Sequence, residues 1–179
     1  EGIKTPKIDR FIEGLKNAGD TPIFNECMAW LNANSVKFEN FCAEDVKTIP
    51  AKICSSVTLS TLHGCPPQEI ERIAAYLMTE KKLHTFVKCN PTLLGYEYAR
   101  ELLNSMGYDY VSFGEFHFKD DLQYQDAVPM LKRLMSLGQE LGLEFGVKIT
   151  NTFPVDICAE ELPGKEMYMS GKSLFALSM

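Results

Sequence analysis

The stretch Ser56–Asn90, SVTLSTLHGCPPQEIERIAAYLMTEKKLHTFVKCN, limits what this chain can fold into more than any other part of it. It opens with an apolar, β-branched run and breaks at Gly64, Cys65, Pro66 and Pro67. It then carries Ile70, Ile73, Ala74, Leu77 and Met78 on one helical face, and a second apolar run ends at Lys88, Cys89 and Asn90. The prolines suit the first turn of a helix, where a missing N–H costs little. The pattern predicts strand, loop, helix over Pro67–Lys82, and strand over His84–Lys88. Such a crossover is long enough to join parallel strands under a covering helix, the unit from which doubly wound sheets and (β/α)8 barrels are built. Polar residues gather where each strand ends: Thr61, His63 and Cys65 after the first, Lys88 and Asn90 on the second. In α/β folds ligands bind and chemistry is done at the carboxyl ends of strands, so function is expected on that edge.

The remainder extends the alternation of helix and strand. Residues 1–53 form an N-terminal helical and irregular segment, with helices expected within Ile8–Asn17 and around Trp30 and an irregular stretch over Asn32–Lys52. Residues 54–179 hold the stronger signals. Tyr96–Met106 has helical spacing and closes at Gly107, Tyr110–Phe118 alternates as a strand does, and Gln125–Leu141 carries a stripe of Met130, Leu131, Leu134, Leu137 and Leu141 before Gly142. Glu144–Thr150 reads as a further strand, and Asn151–Lys165 as a Pro- and Gly-punctuated loop. With 45% apolar and 23% charged side chains in 179 residues, there is material for a sizeable core. A net charge of −6 and a pI near 5.1 exclude a broadly basic surface for nucleic acid or an anionic membrane. The sequence shows no long apolar run and no apolar leader core, which points to a cytoplasmic protein. The six cysteines (Cys27, Cys42, Cys54, Cys65, Cys89, Cys158) include no C-x-x-C pair, so neither a zinc nor an iron–sulfur site is spelled out.

One internal echo bears on chemistry. FVKCNPT (86–92) and GVKITNT (146–152) each put a lysine in a strand with an asparagine and a threonine just beyond it. Alternation places Lys88 and Asn90 on one face of their strand, and Lys148 with Thr150 on one face of the other. A lysine among apolar neighbours at a strand end calls for an anionic partner or a lowered pKa.

VTLSTLHGCPPQEIE, FVKCNPTLLGY, GVKITNTFPV and LPGKEMYMSGKSL closely resemble, in order, consecutive segments of the selenate reductase large subunit family, multidomain flavin and iron–sulfur oxidoreductases; the opening EGIKTPKIDRFIEGL fits that family too. The resemblance implies an α/β fold, the central part of an FMN-binding (β/α)8 (TIM) barrel related to dihydroorotate and dihydropyrimidine dehydrogenases. It implies transfer of electrons or hydride between flavin and a small substrate, with FAD, NAD(P)H and iron–sulfur clusters confined to other domains of a longer parent. It also implies roles for residues. Lys88 is similar to the lysine at the flavin pyrimidine edge, with Asn90 beside it. Asn151 and Thr152 are similar to a pair facing flavin and substrate. Ser170 and Gly171 are similar to a Ser-Gly whose backbone amides approach the flavin phosphate, where a glycine permits close approach.

The chain departs from the dehydrogenase pattern at LHGCPP, where an Asn-x-Ser-x-Pro motif is missing, so any general base falls to His63 or to Cys65 activated by it. The resemblance also implies that the first and last barrel strands lie outside these residues. On that basis the isolated chain is expected to be flavin-free and silent, with open strand edges buried in a homodimer or under its own N-terminal helices. Two other readings stay open: a lyase or aldolase barrel in which Lys88 or Lys148 forms a Schiff base, and a non-catalytic scaffold barrel.

Overall fold

The computed structural model describes residues 2–60, 65–119, 121–160 and 162–177 and divides into two compact units, with the boundary along the chain after Ser56. The first unit is helical. Helices α1 (Pro6–Lys16) and α2 (Pro22–Asn34) each begin on a proline that follows a threonine, and a short turn, α3 (Ala43–Val46), comes after them. Within Asn32–Lys52 the backbone is thus less irregular than its composition suggests. The Asp45 carboxylate accepts the Cys42 N–H at 2.7 Å at the start of α3, and this bond holds the Asp45 carboxyl below its usual range. Ala18, Ser35 and Val46 are buried in this unit, while Phe11, Ile23 and Trp30 are more than half exposed.

The second unit carries the sheet. Its elements run β1 (Ser56–Ser60), α4 (Pro67–Thr79), β2 (His84–Cys89), α5 (Tyr96–Ser105), α6 (Phe116–Lys119), α7 (Tyr124–Leu141), β3 (Phe145–Ile149), β4 (Phe153–Asp156), β5 (Glu166–Met169) and α8 (Ser173–Ala176). The strand order is β1-β2-β3, and β2 pairs with β3 in parallel, Thr85 opposite Phe145 and Lys88 opposite Lys148. Strands β4 and β5 form a separate antiparallel pair.

Helices α4 and α7 cover one face of β2. Ile70, Ala74 and Met78 recur every fourth residue on α4, and Met130 and Leu134 do the same on α7; with Val87 they make one core in which every member is at most 1% exposed. Fully burying an Ile, Leu, Met or Val side chain contributes about 1.5–3 kcal/mol, so the five of them packed around Ala74 fix the helix-to-strand register. Glu71 of α4 and Arg133 of α7 add a two-pronged ion pair at 2.7 Å, which holds the Glu71 carboxyl below its usual range. Helix α7 stops at Gly142, whose φ of +66° gives the left-handed cap that glycine adopts without strain. Along β2, Thr85, Val87 and Cys89 are buried and His84, Phe86 and Lys88 are only partly so. The helices therefore take the Val87 face, and the lysine is turned to the opposite one.

Tyr110–Phe118 is not a strand: its first half is irregular and Phe116–Lys119 is one helical turn. Phe113 and Phe118 both join Phe153, Ala99, Leu103 and Leu174 in a second core. Five residues apart on a strand they would point to opposite faces, and the turn between them brings both rings within 6 Å of Phe153. Arg100 of α5 secures the irregular half, donating to the Val111 carbonyl at 2.7 Å and the Tyr108 carbonyl at 3.3 Å while lying 4.5 Å over the Phe113 ring. Strand β4 occupies part of what composition marks as loop. Phe153 and Val155 are buried in that second core, and the Asp156 N–H donates to the Ser112 carbonyl at 2.8 Å.

Gly146 lies opposite Phe86 across the sheet, and a Cβ there would stand 2.9 Å from the ring. Gly146→Ala, which ordinarily stabilises a strand, is expected here to cost roughly 1–3 kcal/mol through overpacking. Combining it with Phe86→Leu should recover most of the loss, both read as shifts in a denaturant or thermal unfolding midpoint.

Candidate functional site

The face of β2 and β3 that the helices leave uncovered carries Lys88 and Lys148 at one register. Neighbouring strands are about 4.8 Å apart, and directly opposed residues project to the same side. Among the described residues neither ammonium has an ion-pair or hydrogen-bond partner. Both open on a cleft of about 470 Å³ that is also lined by Thr150, Asn151 and Thr152 beyond β3, and by Ser170, Gly171 and Lys172 beyond β5. Among the described residues, three lysines and no acidic side chain line it, in a chain whose net charge is −6. Such a concentration of one sign calls for an anion. Thr150 Oγ1 is buried at the cleft with no hydrogen-bond partner among the described residues, a group able to bond. Gly171 has φ +111°, and the direction in which a Cβ would point from it is empty space. The backbone there takes a conformation that L residues rarely adopt, and it can be approached closely.

Beneath the cleft runs a chain of hydrogen bonds. The Asp121 carboxylate oxygen Oδ2 accepts the Thr92 hydroxyl at 2.6 Å and the Asn90 amide N–H at 3.2 Å. Asn90 Oδ1 in turn accepts an N–H of Asn151 at 3.0 Å, and Asn151 Oδ1 accepts the Thr152 backbone N–H at 2.8 Å. Gln123 pins the segment that carries Asp121 by donating to the Asp121 and Phe118 carbonyls at 2.7 and 2.6 Å.

The site residues expected from sequence sort by this geometry. Lys88, Asn151, Thr152, Ser170 and Gly171 share the cleft. Asn90 is not among the cleft's lining residues; it stands behind Asn151 and holds it. His63 lies outside the described residues. Cys65 packs beside the α4 core, and its thiol is pushed up by burial and by the Glu69 carboxylate. Lys172 and Asp121 are the members that sequence reasoning passed over. Lys172 follows the Ser-Gly directly, which is a usable signal; Asp121 lies in a polar stretch with no periodicity to mark it. Among the described residues no cluster of metal-ligating side chains occurs, and no helix is long and apolar enough to cross a membrane.

The family model of the oxidoreductase YgfK N-terminal TIM-barrel domain matches residues 1–179. The chain is 46% identical over 191 aligned positions to "Putative oxidoreductase YgfK" of Escherichia coli strain K12, and equally so to the protein of that name from E. coli O157:H7. The whole chain is covered in both matches, and it spans 18% of the length of these relatives. No solved structure matches.

Because its thiol is pushed up, Cys65 should be alkylated by iodoacetamide more slowly at neutral pH than the exposed Cys27, Cys42 and Cys158. Its rate should rise with pH above the ordinary thiol range, since the thiolate is the reacting form. Mass spectrometry of a labelling time course across a pH series checks both.

Proposed function

Since this chain belongs to the oxidoreductase YgfK N-terminal TIM-barrel domain family, we propose that it is the flavin-handling part of an FMN-type barrel in an oxidoreductase of the selenate reductase and dihydropyrimidine dehydrogenase kind. The observation that carries this reading is convergence: Lys88, Asn151–Thr152 and Ser170–Gly171 lie far apart in sequence and line one cleft. The donor set suits the group. Lysine ammoniums and the open backbone at Gly171 fit a phosphate or an anionic ring edge, and the unpartnered Thr150 hydroxyl is one more group able to bond.

FMN, when bound, supplies two-electron redox chemistry to a small substrate. The protein's own groups have separable tasks. Lys88 is a cation at the strand end, where it favours whatever negative charge develops beside it, an effect that strengthens as water is excluded. Lys148 adds a second cation at the same register. Ser170 and Gly171 offer backbone N–H groups to a phosphate. Asn151 and Thr152 orient the substrate. The remaining domains of a longer chain would bring the FAD, NAD(P)H and iron–sulfur partners through which electrons arrive.

A second reading draws on the side-by-side lysines alone: a barrel in which one of them condenses with a carbonyl substrate. Borohydride in the presence of candidate aldehydes and ketones would then leave an adduct on Lys88 or Lys148, detectable by peptide mass.

In the full-length protein, Lys88→Ala should cut barrel-flavin occupancy or the rate of flavin reduction by about tenfold or more, as expected for removal of a charged contact, and Lys148→Ala should do less. Flavin content and stopped-flow reduction decide it: two variants indistinguishable from the parent protein sink the assignment.

A further inference from the structure

Asp121 comes from the segment between α6 and α7, is 8% exposed, and sits at the root of the hydrogen-bond chain that ends at the cleft. A carboxylate only accepts, whereas a side-chain amide can turn either its oxygen or its nitrogen toward a neighbour. The acceptor at Asp121 therefore fixes Asn90 and, through it, one end of Asn151, whose other end is held in the same sense by the donor-only Thr152 backbone N–H. Asn90 must turn its NH2 to Asp121, where it donates at 3.2 Å, and so presents Oδ1 to Asn151. Asn151 must give one N–H to that oxygen at 3.0 Å, and its own Oδ1 is taken by the Thr152 backbone N–H at 2.8 Å. What Asn151 can still offer the cleft is its second N–H. Thr92, 2% exposed, keeps the root in place with a 2.6 Å bond to the same carboxylate oxygen.

We propose that Asp121 is a positioning residue that sets the hydrogen-bond polarity of the cleft, so that Asn151 faces it as a donor beside Lys88, Lys148 and Lys172. A cleft so furnished takes the acceptor edge of its ligand, a carbonyl, carboxylate or phosphate oxygen, and turns away groups that present N–H. This rests on reading the cleft as the cofactor and substrate site. The polarity itself belongs to the protein and is present without any ligand.

A swap of acceptor and amide separates polarity from mere packing. In Asp121→Asn the root can donate as well as accept, and Asn90 is no longer compelled to face one way. In Asn90→Asp two carboxylates oppose each other. In the double variant Asn90→Asp with Asp121→Asn, the new amide donates to the new carboxylate, which again accepts from Asn151, and the polarity at the cleft returns. With FMN as the probe, in full-length protein whose circular dichroism is unchanged, each single variant should bind about tenfold or more weakly, and the double should recover most of the loss. Singles that bind as tightly as the parent protein, or a double no better than the singles, overturn the proposal. Amide exchange followed by NMR on the unvaried chain gives a readout free of flavin and of any variant's folding. One side-chain proton of Asn90 and one of Asn151 should exchange slowly and their partners fast. Fast exchange of all four overturns the polarity, whatever the protein does with FMN. Failure of the parent protein to bind FMN, with those two protons protected, instead overturns the proposed function and leaves Asp121 in its role.

Discussion

The parallel pairing of β2 with β3 is the constraint on which the candidate site depends. Val87 is held at 0% exposure between α4 and α7, and because side chains alternate along a strand, its neighbour Lys88 has to lie on the other face. The register then sets Lys148 directly beside it. Two lysines side by side on strands about 4.8 Å apart repel unless an anion or water separates their ammoniums, so the same hydrophobic burial that fixes the sheet also concentrates positive charge on its open side. The core and the candidate site are built on opposite faces of one strand pair.

The second constraint is polar. The lysines are point charges on flexible stems and cannot by themselves select an orientation for a ligand. Direction comes from the amides behind them, and these are ordered by a buried carboxylate that Thr92 and Asn90 satisfy. A buried acid is tolerable when it is hydrogen-bonded, and removing any one partner leaves an unpaired group whose desolvation is no longer offset. The network is therefore cooperative: its members hold one another in a single arrangement, and the cleft inherits that arrangement.

The second core has a parallel logic. Phe113 and Phe118 each meet Phe153 edge to face and each other at a tilt, and the backbone between the first two bends to let them meet, with Arg100 bonded to carbonyls that a strand would otherwise have paired. This cluster closes the path from α5 to β4, and β5 with the Ser170–Lys172 segment follows directly from it. The His117 and Glu166 side chains meet at 3.0 Å and link α6 to β5, so the loop that lines one wall of the cleft is tied back to the aromatic turn.

Much of this was legible in order along the chain. The stripe Ile70, Ala74, Leu77 and Met78 predicts α4, the stripe ending before Gly142 predicts α7, and the lysine-bearing runs predict β2 and β3, because each signal is local and periodic. Phe113 and Phe118 misled for the same reason: alternation is a statement about neighbours, and what their rings sought was Phe153, some 40 residues away. The site divides likewise. The lysine-bearing echo singled out Lys88, and the family resemblance added Asn151, Thr152, Ser170 and Gly171. That Lys88 and Lys148 stand side by side, that Asn90 supports rather than lines the cleft, and that Asp121 governs the amides above it were decided only by tertiary structure. Each depends on which strand pairs with which and on hydrogen bonds between residues about 30 to 60 positions apart, distances over which a linear sequence carries no period.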